Sequence, residues 1–165
     1  MQINHIQKDI EAIIESLGCK LYDMVFLREN ATEILRIYIM ANKVGGVTLD
    51  MCQIVSEAVS PFLDVKDISE NAYILEVSSP GADRTLKIPR HFMLSCGERV
   101  KIHLLDKSDF EATILKANEE GVWVDTIPES LYPLLYGQTN AVDSNAIVFI
   151  PYNKIRKAKI AFEFH

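Results

Sequence analysis

The cations of this chain fall into two runs, and their spacing is the first pattern that could do chemistry. Arg84, Lys87 and Arg90 occur in the stretch from Arg84 to His91 with no acid among them. Lys154, Arg156, Lys157 and Lys159 place four cations in six residues, and no acid occurs from Ser144 to Phe162. The whole chain nevertheless carries a formal net charge of −6, from 17 Lys and Arg against 23 Asp and Glu. These seven cations therefore sit in a chain whose other charges sum to −13. Such a chain can hold a phosphate backbone locally and repel it elsewhere. It cannot coat nucleic acid by bulk charge as a histone-like binder does. Arg84 is the sharpest candidate, because a guanidinium forks onto two phosphate oxygens at once. Its structural alternative is a pairing with Asp83 or Glu76 that braces its own loop. For residues 154–159 the alternative is a solvated strand face.

The remaining reactive side chains do not assemble into a set. His5, His91, His103 and His165 fall in no HExxH motif or other paired spacing, so a metal site is not expected. Cys19, Cys52 and Cys96 are odd in number, far apart and never in a CxxC pair, which fits reduced thiols in a cytosol. Ser78 and Ser79 precede Pro80-Gly81 but lack the GxSxG frame and a nearby base. Gly45-Gly46 belongs to neither GxxxxGK[ST] nor GxGxxG and reads as a loop before a helix. Asp50, Glu76 and Asp83 are single carboxylates. No catalytic residue, metal or cofactor is expected.

The elements that must position the cations can be read from periodicity. At 165 residues, 48% hydrophobic and 24% charged, the chain suits one domain or two small ones of ordinary globular type. Asn4 is a candidate N-cap with Gln7 completing a capping box. Ile6, Ile10, Ile13, Ile14 and Leu17 then form one helical stripe, closed by Gly18. Leu21–Leu27 and Glu33–Met40 read as a hairpin around the polar segment 28–32, with Leu35, Ile37 and Ile39 on one face and Arg36 and Tyr38 on the other. Thr48 caps a second helix with Asp50 in its first turn and Cys52, Val55, Val59 and Phe62 on its apolar face. Tyr73–Val77 is a third strand. The first domain, residues 1–92, thus reads αββαβ.

Ser78–Arg84 follows as a loop, stiffened by Pro80 and loosened by Gly81. It can offer backbone N–H groups from Ser78, Ser79 and Gly81, with Asp83 as an acceptor and Arg84, Lys87 and Arg90 as cations. A short helix starts at Pro89 and stops at Gly97. Beyond Gly97, strands at Val100–Leu105, Phe110–Ala117, Val122–Thr126, Ala146–Ile150 and Arg156–Phe162 predict a small barrel over residues 98–165. The domain boundary falls near 92–98. The connection Ile127–Asn145 is long and holds Leu131, Tyr132, Leu134, Leu135 and Tyr136. No apolar run approaches the ~18 residues of a membrane span. The start of the chain has no signal-peptide core, so a cytoplasmic location is expected. A monomer is expected, because no coiled-coil pattern or large apolar seam is present.

The segment Leu75-Glu76-Val77-Ser78-Ser79-Pro80-Gly81-Ala82-Asp83-Arg84 closely resembles the signature of the bacterial ribosome maturation factor RimP family. Collinear blocks support the resemblance from about residue 5 to about residue 160. They are Leu21-Tyr22-Asp23 with 35–39, the segment 45–52, His91-Phe92, Gly97 with Val100-Lys101, and 150–152 through 155–158. The resemblance implies an α+β chain whose C-terminal barrel is SH3-like (Sm-like). It implies a non-enzymatic factor that binds the free small ribosomal subunit and promotes its maturation. The implied partners are 16S ribosomal RNA and small-subunit ribosomal protein twelve. Thr85 stands where the family usually has Pro, Ala82 replaces a commoner Leu, and the 127–145 connection looks longer than usual. Two other functions compete. A small RNA-binding regulator would bind naked RNA tightly. A protein–protein adaptor would use the barrel edge and the apolar 131–136 segment, and its binding would survive high salt.

Overall fold

The computed structural model describes residues 3–41, 46–81, 84–125 and 147–161. The chain divides into two compact units, Met1–Pro80 and Gly81–His165. The first runs α1 (Asn4–Ser16), β1 (Cys19–Glu29), β2 (Thr32–Ala41), α2 (Leu49–Asp64) and β3 (Tyr73–Ser78). The second runs β4 (Thr85–Leu86), α3 (Pro89–Met93), β5 (Arg99–Leu104), β6 (Asp109–Ala117), β7 (Gly121–Val124), β8 (Val148–Pro151), a 3₁₀ turn (Tyr152–Lys154) and β9 (Ile155–Ile160). The predicted αββαβ order is present in the first unit. The sequence places the domain boundary at 92–98, whereas the contacts divide the chain at residues 80 and 81. The segment ahead of Met93 packs with the second unit because β4 pairs with β9.

The first unit builds its core between one face of a three-stranded sheet and two helices. The sheet order is β1-β2-β3. β1 and β2 form a hairpin whose turn residues, Asn30 and Ala31, both have positive φ, as a two-residue turn requires. β3 runs parallel to β2, so the chain must cross over between them, and α2 is that crossover. Leu35, Ile37 and Ile39 are fully buried, as the alternation of the sequence predicts. Ile6, Ile10 and Ile14 of α1 and Val55, Val59 and Leu63 of α2 close over them. Thr48 accepts a hydrogen bond from Met51 N at 3.2 Å, the predicted cap. Asn4 does not cap: it is already helical, and the preceding Ile3 has no polar side-chain atom to offer.

The six strands of the second unit form a sheet in the order β4-β9-β5-β6-β7-β8. Alternate residues Val100, Ile102 and Leu104, then Phe110, Ala112 and Ile114, point into its core. β4 is an added strand that two residues of polar-apolar sequence did not announce. The sheet has β4 and β8 at its ends, and no ladder joins them among the described residues, so the expected barrel is not closed there. The 127–145 connection lies outside the described residues.

Gly121 has a packing role in this sheet. A Cβ there would lie 2.5 Å from the Ile150 carbonyl oxygen and 2.6 Å from Cζ of Phe149, whose ring pairs with Trp123 at 4.6 Å. Gly121→Ala is therefore expected to overpack the β7–β8 ladder and cost about 1–3 kcal/mol. Chemical denaturation checks this, and an unchanged midpoint would contradict it.

Candidate functional site

The β4–β9 ladder brings the two cation runs together. Thr85 pairs with Lys159 and Leu86 with Ala158. Both ends of this short strand are held. At one end Arg84 O accepts from Ile160 N at 3.0 Å; at the other Lys87 N donates to Nδ1 of buried His91 at 3.0 Å. Pro89 then opens α3, where its missing N–H and fixed φ suit the first turn. On β9, Lys157 stands opposite His103 and Ile155 opposite Leu104, which leaves Arg156 as an extra residue. This bulge breaks the alternation, so Arg156 and Lys157 are both exposed while Ala158 and Ile160 are buried.

Between these segments lies a groove of about 520 Å³. Its apolar lining is Leu86, Ile88, Pro89, Phe92, Tyr152 and Ile155, and its charged lining is Lys87, Arg156, Lys157 and Glu119. Lys87 comes from the first cation run, Arg156 and Lys157 from the second. None of these three makes an ion pair among the described residues. The cations of β5 differ: Arg99 lies 3.7 Å from Glu111 and Lys101 3.9 Å from Asp109. Lys159 stands directly across from Lys101, and Lys157 from His103. Like charges at opposed positions destabilise a sheet. The Lys101–Lys159 pair sets like charge against like charge.

Tyr152 is the fixed aromatic of the groove. Its hydroxyl donates to the Asn118 carbonyl at 2.7 Å and its ring lies 5.0 Å from Phe92. Burial pushes its phenol up to about 12, with the charges of Glu119 and Cys96 adding to the effect.

Arg84 is placed differently from the phosphate-binding role the sequence suggested. Its side chain is only 7% exposed and pairs with Glu98. It donates to Ser95 Oγ at 2.9 Å and to Gly81 O at 3.3 Å. This is the bracing alternative with a different partner, since Glu76 is engaged by Arg36, 2.8 Å away. Ser78 and Ser79 end the first unit with the Ser78 hydroxyl donating to Ser79 O at 3.2 Å, and Pro80 follows them. Gly81 opens the second unit with φ +91°. Asp83 lies outside the described residues. Arg90 and Lys154 are half-buried, and Lys159 is exposed on β9. Sequence reasoning missed Glu98, Glu119, Ile88 and Tyr152. Tyr152 carried a usable signal, an aromatic two residues before a cation run; Glu98 and Glu119 carried none.

Among the described residues no group of three or more His, Cys, Asp or Glu side chains could hold a metal ion, and no helix is long and apolar enough to cross a membrane. Fold and groove thus define an α+β protein with a cationic groove that one aromatic pair lines. Residues 9–83 match the family described as the RimP N-terminal domain, so this part of the chain is similar to that family. That family is associated with ribosome maturation and is not known as an enzyme.

Two outcomes are expected. Arg84→Lys keeps the charge but loses the fork whose one arm reaches Ser95 and Glu98 and whose other reaches Gly81 O, at a cost of about 1–3 kcal/mol for the orphaned partners. Thermal unfolding reads this, and a wild-type midpoint would contradict it. Tyr152 binds its proton more tightly folded than unfolded. Its contribution to stability is therefore complete below pH ~10, the phenol's ordinary value, and is lost as pH rises through about 12. Urea titrations across that window should show a steeper decline for wild type than for Tyr152→Phe; parallel curves would contradict it.

Proposed function

We propose that this chain binds the free small ribosomal subunit and promotes its maturation without catalysis. The observation that carries the reading is the convergence of Lys87 with Arg156 and Lys157 on one groove, with no acid pairing any of them among the described residues. Cations in this state can neutralise phosphates of 16S ribosomal RNA and fix the orientation of the factor without reading sequence. The acidic remainder of the chain disfavours indiscriminate coating of RNA. Preferential binding to one arrangement of an immature subunit shifts its population toward that arrangement, and this needs no nucleotide hydrolysis.

The second unit is the SH3-like (Sm-like) module in this reading, and small-subunit ribosomal protein twelve is the protein partner. The chain works as a monomer in the cytoplasm. Arg84 supports the surface from beneath, and Arg90, Lys154 and Lys159 extend its positive field.

Cosedimentation on sucrose gradients tests the reading. The protein is expected to travel with free small subunits and to be absent from complete ribosomes. Each of Lys87→Ala, Arg156→Ala and Lys157→Ala should weaken binding and lower the salt slope by about 1. Arg84→Lys should leave that slope unchanged. A triple cation variant that cosediments like wild type would overturn the reading. Binding that persists at high salt would favour the protein–protein adaptor instead.

A further inference from the structure

We propose that the groove of the second unit takes a single unstacked RNA nucleotide, its base against Tyr152, Ile88 and Ile155 and its phosphates between Lys87, Arg156 and Lys157. The inference rests on the reading of this groove as a contact to ribosomal RNA. Three observations carry it.

The lining is more than half apolar, and Ile88 is 42% exposed although it is a large hydrophobe. A surface that only follows a phosphate backbone gains nothing from such residues. A base gains from them, because stacking and apolar contact are available to any π-face. The Tyr152 ring is held at both ends, by Phe92 and by the bond to Asn118 O, so little order is lost when a base meets it. The volume of about 520 Å³ falls in the range of clefts that enclose small ligands, roughly 300–1,000 Å³. Sequence-specific recognition of RNA works mostly on unpaired bases splayed out of the helix, which is the form that fits such a cleft.

Glu119 adds a constraint on the base. It is exposed, its carboxylate accepts no hydrogen bond from a described residue, and it lines a groove of cations. A carboxylate repels phosphate but accepts from an exocyclic amino group such as that of cytosine. Uracil offers carbonyl oxygens there. The groove should therefore prefer cytosine to uracil.

Fluorescence anisotropy of the full chain with labelled RNA hexamers at low salt tests this. The probes are oligocytidine, oligouridine, an abasic ribose-phosphate hexamer, and an acidic peptide of equal charge. Oligocytidine is expected to bind about 10-fold more tightly than the abasic strand, as one stacked base allows. It should also exceed oligouridine, and Glu119→Gln should remove that preference. Tyr152→Leu should abolish the advantage over the abasic strand, while Tyr152→Phe keeps it. If Tyr152→Leu does not fold, Ile88→Ser at the exposed position serves in its place. Equal binding of abasic and base-bearing strands overturns the proposal. So does the absence of saturable binding by any hexamer, or a peptide that binds as tightly as oligocytidine. Equal hexamer affinities with cosedimentation intact remove the nucleotide pocket alone; base-dependent binding without cosedimentation removes the subunit-binding reading alone.

Discussion

The ladder between β4 and β9 is only two residues long, yet the surface presented by the second unit depends on it. Leu86 is buried opposite Ala158, so the residue after it must emerge beside the bulged start of β9. That residue is Lys87, and the bulge exposes Arg156 and Lys157 together. Two hydrogen bonds stop this short strand from fraying: Ile160 N to Arg84 O, and Lys87 N to the ring of His91. The Arg84 guanidinium ties the same entry point to Ser95, Glu98 and Gly81. Arg84 thus serves the surface from underneath. It holds the backbone that delivers Lys87, and its own charge is spent on Glu98.

The distribution of paired and unpaired charge agrees with this division of labour. In the first unit Arg36 lies between Glu29 and Glu76, and these bonds hold its guanidinium above its ordinary range. In the second unit the β5 cations have carboxylates across the ladder on β6. The cations of the groove do not, and Lys159 of β9 stands against Lys101 of β5. A sheet selected for stability alone would place acids opposite those lysines.

Much of the fold was legible from periodicity, because the first unit buries one clean stripe per helix and one face per strand. The Ile6, Ile10, Ile14 stripe, the Leu35, Ile37, Ile39 face and the Thr48 cap all follow from local sequence. Asn4 misled because a capping residue must stand outside the helix, and here the helix already includes it. β4 was illegible because a two-residue strand has no period; it exists only through its partner. The same holds for the site. The two cation runs were visible, but their convergence depends on that ladder and on a bulge at Arg156. The role of Arg84 turned on Glu98, fourteen residues away in sequence, which no spacing rule connects to it.

The most direct test of the account places a photoreactive amino acid at Lys87 or Lys157 and irradiates the protein bound to immature small subunits. The account predicts crosslinks from both positions to 16S ribosomal RNA, within one local region of it, and none when complete ribosomes replace the immature subunits. Crosslinks from both positions to ribosomal protein alone, or to distant RNA regions, would contradict the claim that these residues form one RNA-binding surface.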